Sequence, residues 1–379
     1  MLALKVANDN GNSEQDIYIN NQAISSPNVY ARVQAIPNLD RIPWENVLSD
    51  IHNNLIVSVD GGIYYIGSYA LRSGQHCHSI TVGVDNNKVN SEIVFVNTLA
   101  HIAGEALAIA YRDKPSTLAD DVIKVTCDMA TAIPVSYYSS EMAHKFEDKF
   151  TKKQHMITVY AGTREFSVLI AFSFVKCIPE GVTAAHAFLK NTALVTATGI
   201  AAAAVGNSRI LHVAIGEGTT EFPLTTGIRF HPNFITGTNN GNGHAITSVL
   251  GRFKRKFGLQ NITRQDFSRY VCDSDHKYHV DAMEFLMPAL KDEAEDILNT
   301  AKQVISDANN EVDIVAVYGG GSILMKDYLK PALQLYCDRA RINLLYIEDE
   351  HTAVFLEADG LNAFINSDLF DSLKKIQTK

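Results

Sequence analysis

The stretch His212-Val213-Ala214-Ile215-Gly216-Glu217-Gly218-Thr219-Thr220-Glu221-Phe222-Pro223-Leu224 constrains this chain more than any other. An apolar run from Ile210 to Ile215 breaks into Gly-Glu-Gly-Thr-Thr and then resumes as Phe222-Pro223-Leu224. This pattern predicts strand, tight turn, strand, because glycine admits positive φ and bares backbone amides where a side chain would block access. Consecutive exposed N–H groups and two threonine hydroxyls make a concave anion site of the kind that holds phosphate. An ordinary glycine hairpin without a ligand satisfies the same residues, so the stretch alone does not choose between the two.

A second hairpin of this form opens the chain. Leu2 to Ala7 is a short strand that ends in Asp9-Asn10-Gly11-Asn12, and Asp16 to Ile19 resumes the alternation. Asp9-Asn10-Gly11 falls where Ala214-Ile215-Gly216 falls, each at the end of an apolar strand. This is the mark of an internal duplication, and two such hairpins can clamp one phosphate chain from opposite sides. A third glycine turn, Gly319-Gly320-Gly321-Ser322, follows the buried-type strand Ile314 to Tyr318 and leads into a helix predicted from Met325 to Ala340. A strand–glycine–helix junction lets backbone approach a ligand's flat face or phosphates.

Elsewhere the chain alternates strands and helices. A hairpin turns on Asp60-Gly61-Gly62, and a helix runs from Ser91 to Arg112 with Ser91 as its cap. His101 on that helix reads as an ordinary packing residue. Strands follow at Val122 to Thr126, His155 to Tyr160 and Phe166 to Phe174, with a helix from Ser139 to Thr151 among them. At Ile178-Pro179-Glu180-Gly181 the pattern switches to a helix, Thr183 to Leu189. Pro27 to Asn54, which holds the only tryptophan, Trp44, reads as an irregular surface segment. Val280 to Ala308 reads as a long helix broken near Pro288. Asn261 to Gln265 resembles a helix start, and the basic run Arg252 to Lys256 reads as a solvated helix face.

With 379 residues the chain has room for two domains, and its formal net charge of −9 disfavours broad contact with DNA phosphates or anionic lipid. Its five cysteines are scattered with no C-x-x-C pair, which argues against a zinc site or a disulfide framework. The N-terminus enters a strand pattern at once, and the apolar segment Ala193 to Val205 is too short to span a bilayer. The expectation is a cytoplasmic protein with no membrane anchor and no direct nucleic-acid contact.

Three glycine turns that each follow a strand, with Pro179-Glu180 between the first two, resemble the actin/Hsp70/sugar-kinase superfamily. The closer resemblance is to the bacterial plasmid-segregation actins, the ParM and Alp group. It lies in Thr126 to Tyr138 with its Ile133-Pro134-Val135-Ser136-Tyr137-Tyr138 ending, and in Ile-Gly-Glu-Gly-Thr-Thr-Glu at the second hairpin. The resemblance implies an α/β, actin-like fold: two duplicated RNase H-like domains, each a mixed sheet with flanking helices, hinged around a nucleotide cleft. Domain I would be 1–176 plus a return of the C-terminal part, about 350–379, and domain II 177–349. The cofactors implied are ATP or ADP with Mg2+.

The site residues follow from the same resemblance. Asp9 would face Mg2+ through its water shell. Gly11, Asn12 and Ser13 would contact the β- and γ-phosphates, Gly216, Gly218, Thr219 and Thr220 would wrap them from the other side, and Gly319, Gly320 and Gly321 would lie under the adenosine. Glu180 sits where the family keeps the Gln or Glu that orients the attacking water. The implied function is a slow, polymerisation-linked ATPase that forms filaments of itself and moves plasmid DNA through a DNA-binding adaptor. A sugar or small-metabolite kinase is the alternative. One departure stands out: the family pattern begins the second hairpin with aspartate, and here the residue is Ala214. Its absence is expected to slow hydrolysis more than binding. The first hairpin also lacks a lysine nearby, since Ser13-Glu14-Gln15-Asp16 is acidic.

Overall fold

The computed structural model describes residues 1–39, 41–80, 88–113, 122–234 and 236–377. The last two residues of the expected 350–379 return lie outside them. The N-terminal strand Leu2–Asn10 runs antiparallel to Glu14–Ile19 on one side and parallel to Ile123–Ile133 on the other. Arg164–Pro179 continues the sheet parallel to Ile123–Ile133, and His155–Ala161 pairs antiparallel with it. The hairpin Ile56–Val59 and Gly62–Ile66 and the strand Val29–Val33 extend this into a ten-stranded mixed sheet. Asp60 and Gly61 at the hairpin turn have φ of 47° and 82°, the left-handed pair that such a turn demands.

The second sheet repeats the wiring. Arg209–Ile215 runs antiparallel to Thr220–Glu221 and Leu224–Thr226 and parallel to Ile314–Tyr318, which in turn pairs parallel with Asn343–Tyr346. Each half therefore places one strand between an antiparallel return and a parallel neighbour. The duplication read from the glycine turns is one of topology as well as sequence.

Helices cover the sheets because their apolar stripes have nowhere else to go. Glu92–Asp113 packs Val94, Leu99, Ile102 and Leu107 against Val6, Val57, Met129 and Val159 of the large sheet. Its segment Glu92–Arg112 is long and apolar enough to cross a membrane, but 78% of that window is buried inside the fold. Glu350–Ile365 covers the other face, where Leu361, Phe364 and Ile365 meet Ala7, Ala130 and Phe174. Asn242–Phe257, His279–Asp307 and Gly320–Ala340 close over the second sheet.

Three sequence expectations need correction. Within the segment read as irregular, Val29, Tyr30 and Ala31 are buried and form a sheet strand, because the sheet supplies pairing partners from far along the chain. Pro288 does not break its helix, which runs unbroken as His279–Asp307. A mid-helix proline costs about 3 kcal/mol. Burying Leu286, Leu290 and Ile297 on either side returns about 1.5–3 kcal/mol for each, so packing wins. The third glycine turn is shorter than expected, with Gly320 and Gly321 already in the first turn of the helix Gly320–Ala340.

His212 makes acid sensitivity a property of the second core. It is fully buried, with Nε2 3.0 Å from Thr225 Oγ1 and Nδ1 3.3 Å from the Tyr318 hydroxyl. Burial pulls its pKa from 6.5 down to about 3. The unfolded chain takes up this proton below about pH 6.5 and the folded chain does not, so stability falls with pH across that window by up to about 1.4 kcal/mol per unit. Thermal unfolding compared at about pH 7 and about pH 5 should show a smaller loss in His212→Gln than in the parent chain.

Candidate functional site

The ends of the two duplicated strands converge on one cleft. Asp9, Gly11, Asn12 and Ser13 line it from the first hairpin, Ala214, Gly216 and Thr219 from the second, and Gly319, Gly320 and Gly321 from the third turn. Glu180 lines it as well, held by its backbone N–H to Ile133 O at 2.9 Å. Gly218 and Thr220 are not among the lining residues. The Thr220 hydroxyl donates instead to Asn240 O at 2.6 Å, and the Gly218 carbonyl accepts from His244 Nε2 at 3.1 Å. The first bond ties the second hairpin to the loop before the helix Asn242–Phe257 and the second ties it to the first turn of that helix.

Close backbone approach sets the glycines. A Cβ on Gly11 would lie 2.6 Å from Glu14 O, and one on Gly319, where φ is 92°, would lie 2.4 Å from Ile215 O. The first hairpin is braced from beneath by buried amides that sequence reading missed. Asn28 Nδ2 donates to Gly11 O at 2.7 Å and is itself held by Asn97 Nδ2 at 2.9 Å, while Gln15 and Asn8 bond to each other and to Thr98. Asn97 and Thr98 come from the helix Glu92–Asp113, so the core of the large sheet fixes the loop.

The electrostatics are lopsided. Asp9, Glu14, Asp16, Glu180, Glu217, Glu221 and Glu357 all line the cleft, against Lys88 as the one cation lining it among the described residues. Lys88 arrives from a short turn, Lys88–Asn90, far along the chain from either hairpin, and its Nζ lies 2.5 Å from Glu180 Oε1. Burial pushes Asp9 up to about 6, with Lys88 opposing and Glu180 adding to the rise. Burial likewise drives Asp16 and Glu221 up to about 8, helped by Asp9 and Glu14 in one case and by Glu180 in the other. Glu357 from the helix Glu350–Ile365 is also raised well above the usual carboxylate range, mainly by burial and then by Asp9 and Glu180. It accepts the Gly181 N–H at 2.9 and 3.1 Å and the Thr183 hydroxyl, while the Tyr318 hydroxyl donates to Gly181 O at 2.9 Å. The Glu180-Gly181 turn is thereby clamped from both sides.

So many carboxylates repel a bare polyphosphate but suit one that arrives with a divalent cation. Among the described residues no group of three or more His, Cys, Asp or Glu side chains is placed to hold a metal by itself. Mg2+ keeps several waters and is held by few carboxylates together with phosphate oxygens, so it does not require such a cluster. Unpartnered buried atoms at Asn12 Oδ1, Asp16 Oδ1, Asn242 Oδ1 and both Glu221 oxygens leave acceptors for such a hydrated ion or its ligands. The residues present therefore fit the group.

No protein-family model matches the chain, and no curated protein matches it by sequence. Solved structures do match. The actin-like protein Alp7A aligns over 100% of both chains at 17% identity with a TM-score of 0.70. The archaeal actin homologue Ta0583 in complex with ADP aligns over 97% of this chain and 100% of its own, at 16% identity and a TM-score of 0.67. A ParM of a 15-stranded filament from Clostridium botulinum aligns over 96% and 99%, at 17% identity and a TM-score of 0.68. The chain has the actin-like fold.

Proposed function

We propose that this actin-like chain binds ATP with Mg2+ in the cleft, hydrolyses it slowly, and polymerises into filaments that move plasmid DNA through a DNA-binding adaptor in the cytoplasm. The observation that carries the reading is the convergence of two duplicated hairpins and a glycine-led helix on one cleft, with Glu180 and Lys88 paired inside it. In this reading 1–176 with 350–377 form one domain and 177–349 the other, hinged at the cleft. The two separate sheets and the return of the helix Glu350–Ile365 to the first sheet support that division.

The chemistry is positioning. Gly11, Asn12, Ser13, Gly216 and Thr219 offer amides and side chains to the phosphates, and Gly319, Gly320 and Gly321 leave a flat bed for the adenosine. Asp9 would hold the cation through its water shell. Mg2+, when bound, neutralises charge on the phosphate oxygens. Glu180 accepts a hydrogen bond from the attacking water and draws off its proton. As the water oxygen bonds to the terminal phosphorus, the bond to the bridging oxygen breaks and ADP leaves with the electron pair. Lys88 orients Glu180 and presents its charge to the terminal phosphate.

Electron microscopy of the purified chain tests the reading. Filaments are expected with ATP, or a non-hydrolysable analogue, plus Mg2+, and none without nucleotide. A chain that stays monomeric at high concentration and releases ADP only when sugar is added belongs with the kinases instead.

A further inference from the structure

We infer that Glu221 supplies the carboxylate that the second hairpin lacks at Ala214, and so holds the water shell of the cation that accompanies the nucleotide. The inference rests on the nucleotide reading above. The two hairpins share register as well as wiring. In the first, Asp9 is paired across the strands with Asp16; in the second, Ala214 is paired with Glu221. Directly paired residues point to the same face of a sheet, with Cβ atoms about 4.5–5.5 Å apart. Glu221 thus stands on the face where an aspartate at position 214 would stand, and all four positions line the cleft. Moving the carboxylate to the neighbouring strand displaces it by about one strand spacing, roughly 4.8 Å. The extra methylene of glutamate recovers part of that distance, and alanine opposite leaves the path open.

The surroundings of Glu221 fit a ligand better than a structural role. Its exposure is 2%. Thr219 and the Ser136 backbone adjoin it, yet neither carboxylate oxygen completes a hydrogen bond. Buried polar groups are nearly always partnered, so a buried carboxyl with neither oxygen bonded is held for something that enters the cleft. Gly237 makes room for the carboxyl group itself. A Cβ on Gly237, from the strand paired with Thr220–Glu221, would lie 2.5 Å from Glu221 Oε2. Lys88, the nearby cation, is already bonded to Glu180 and does not satisfy Glu221. A hydrated divalent ion supplies both charge and hydrogen-bond donors. On this reading the strand-end alanine is not a gap in the site but half of an exchange between two facing positions.

The test uses Mn2+ as the probe, titrated into the full chain at saturating ATP and followed by the electron paramagnetic resonance of the free ion. Glu221→Gln should weaken Mn2+ binding to the protein–ATP complex about tenfold or more, while the affinity for metal-free ATP holds. Adding Ala214→Asp to Glu221→Gln should restore most of the lost Mn2+ affinity, which no merely structural role predicts. Unchanged Mn2+ affinity in Glu221→Gln, with ATP still bound, overturns the assignment. A double variant that binds Mn2+ no better than the single one overturns it too. A parent chain that binds no ATP at all overturns the nucleotide reading, and the role of Glu221 falls with it.

Discussion

Lys88→Met is expected to weaken ATP binding about thirtyfold or more, whereas Glu180→Gln leaves binding nearly intact and slows phosphate release about a hundredfold or more. The two residues touch each other, so the split is a strong claim. Lys88 is 4% exposed and lines a cleft otherwise full of carboxylates. Removing one partner of a buried charge pair typically costs 2–5 kcal/mol, much of it from the charge left behind. Here the loss is compounded, because among the described residues no other lysine lines the cleft to oppose the remaining carboxylates. Glu180→Gln keeps the shape and can still accept from Lys88, so phosphate binding retains its cation. What it loses, in the proposed role, is the negative charge that aligns the water, and one positioned group of this kind is commonly worth about 2.7–4 kcal/mol of barrier. Calorimetric ATP binding and phosphate release at matched polymer mass separate the two effects. Filaments of Glu180→Gln should also persist longer. An equal loss of ATP affinity in Glu180→Gln, with the fold intact, would mean that the residue has been misassigned.

Gly319→Ala is expected to lower the melting temperature by roughly 6 °C or more and to abolish ATP binding, while Gly320→Ala leaves the melting temperature almost unchanged. Gly319 has φ of 92°, and a Cβ there would lie 2.4 Å from Ile215 O and 2.9 Å from Ile215 C. The left-handed backbone costs an L-residue about 1–2 kcal/mol before any contact is counted. The clash is with backbone, not with a flexible side-chain tip, so relief requires the strand Arg209–Ile215 to move. That strand carries the second hairpin into the cleft. One step along, a Cβ on Gly320 meets only Val354 Cγ2 at 3.7 Å, an ordinary contact. Thermal unfolding of the two variants side by side is the check. Equal melting temperatures would show that the approach of Gly319 to Ile215 is not what holds the two strand ends together.

Much of this was legible in the sequence because it is local. Turn glycines, strand alternation and helix caps each involve a few consecutive residues. The start of the helix Arg264–Cys272 is an instance, where Thr263 and Asp266 form a reciprocal cap as their spacing allows. The order of the three glycine turns was enough to suggest the actin-like architecture, and the internal repeat at Asp9 and Ala214 proved to be a repeat of topology. Ten of the expected site residues meet at the cleft. The two that do not, Gly218 and Thr220, sit in the expected hairpin and bond to His244 and Asn240 instead.

The sequence by itself determined the hairpins, the duplication and the glycine-lined bed of the site, since each follows from backbone freedom and side-chain period within a short window. Tertiary structure alone decided which charges share the cleft. Lys88 reaches Glu180 from 92 residues away, and Glu357 clamps Gly181 from 176 residues away. Asn28 reaches back beneath Gly11, and Val29–Val33 becomes a strand because the hairpin Ile56–Val59 and Gly62–Ile66 offers it an edge. No motif marks such partners, for a lysine or asparagine in a loop has the same local preferences whether it ends in solvent or against a carboxylate. Only the return of the chain brings opposite charges within a few ångströms and out of water, and there desolvation raises the pKa of Asp9, Asp16 and Glu221 while Lys88 opposes the rise at Asp9 and Glu221.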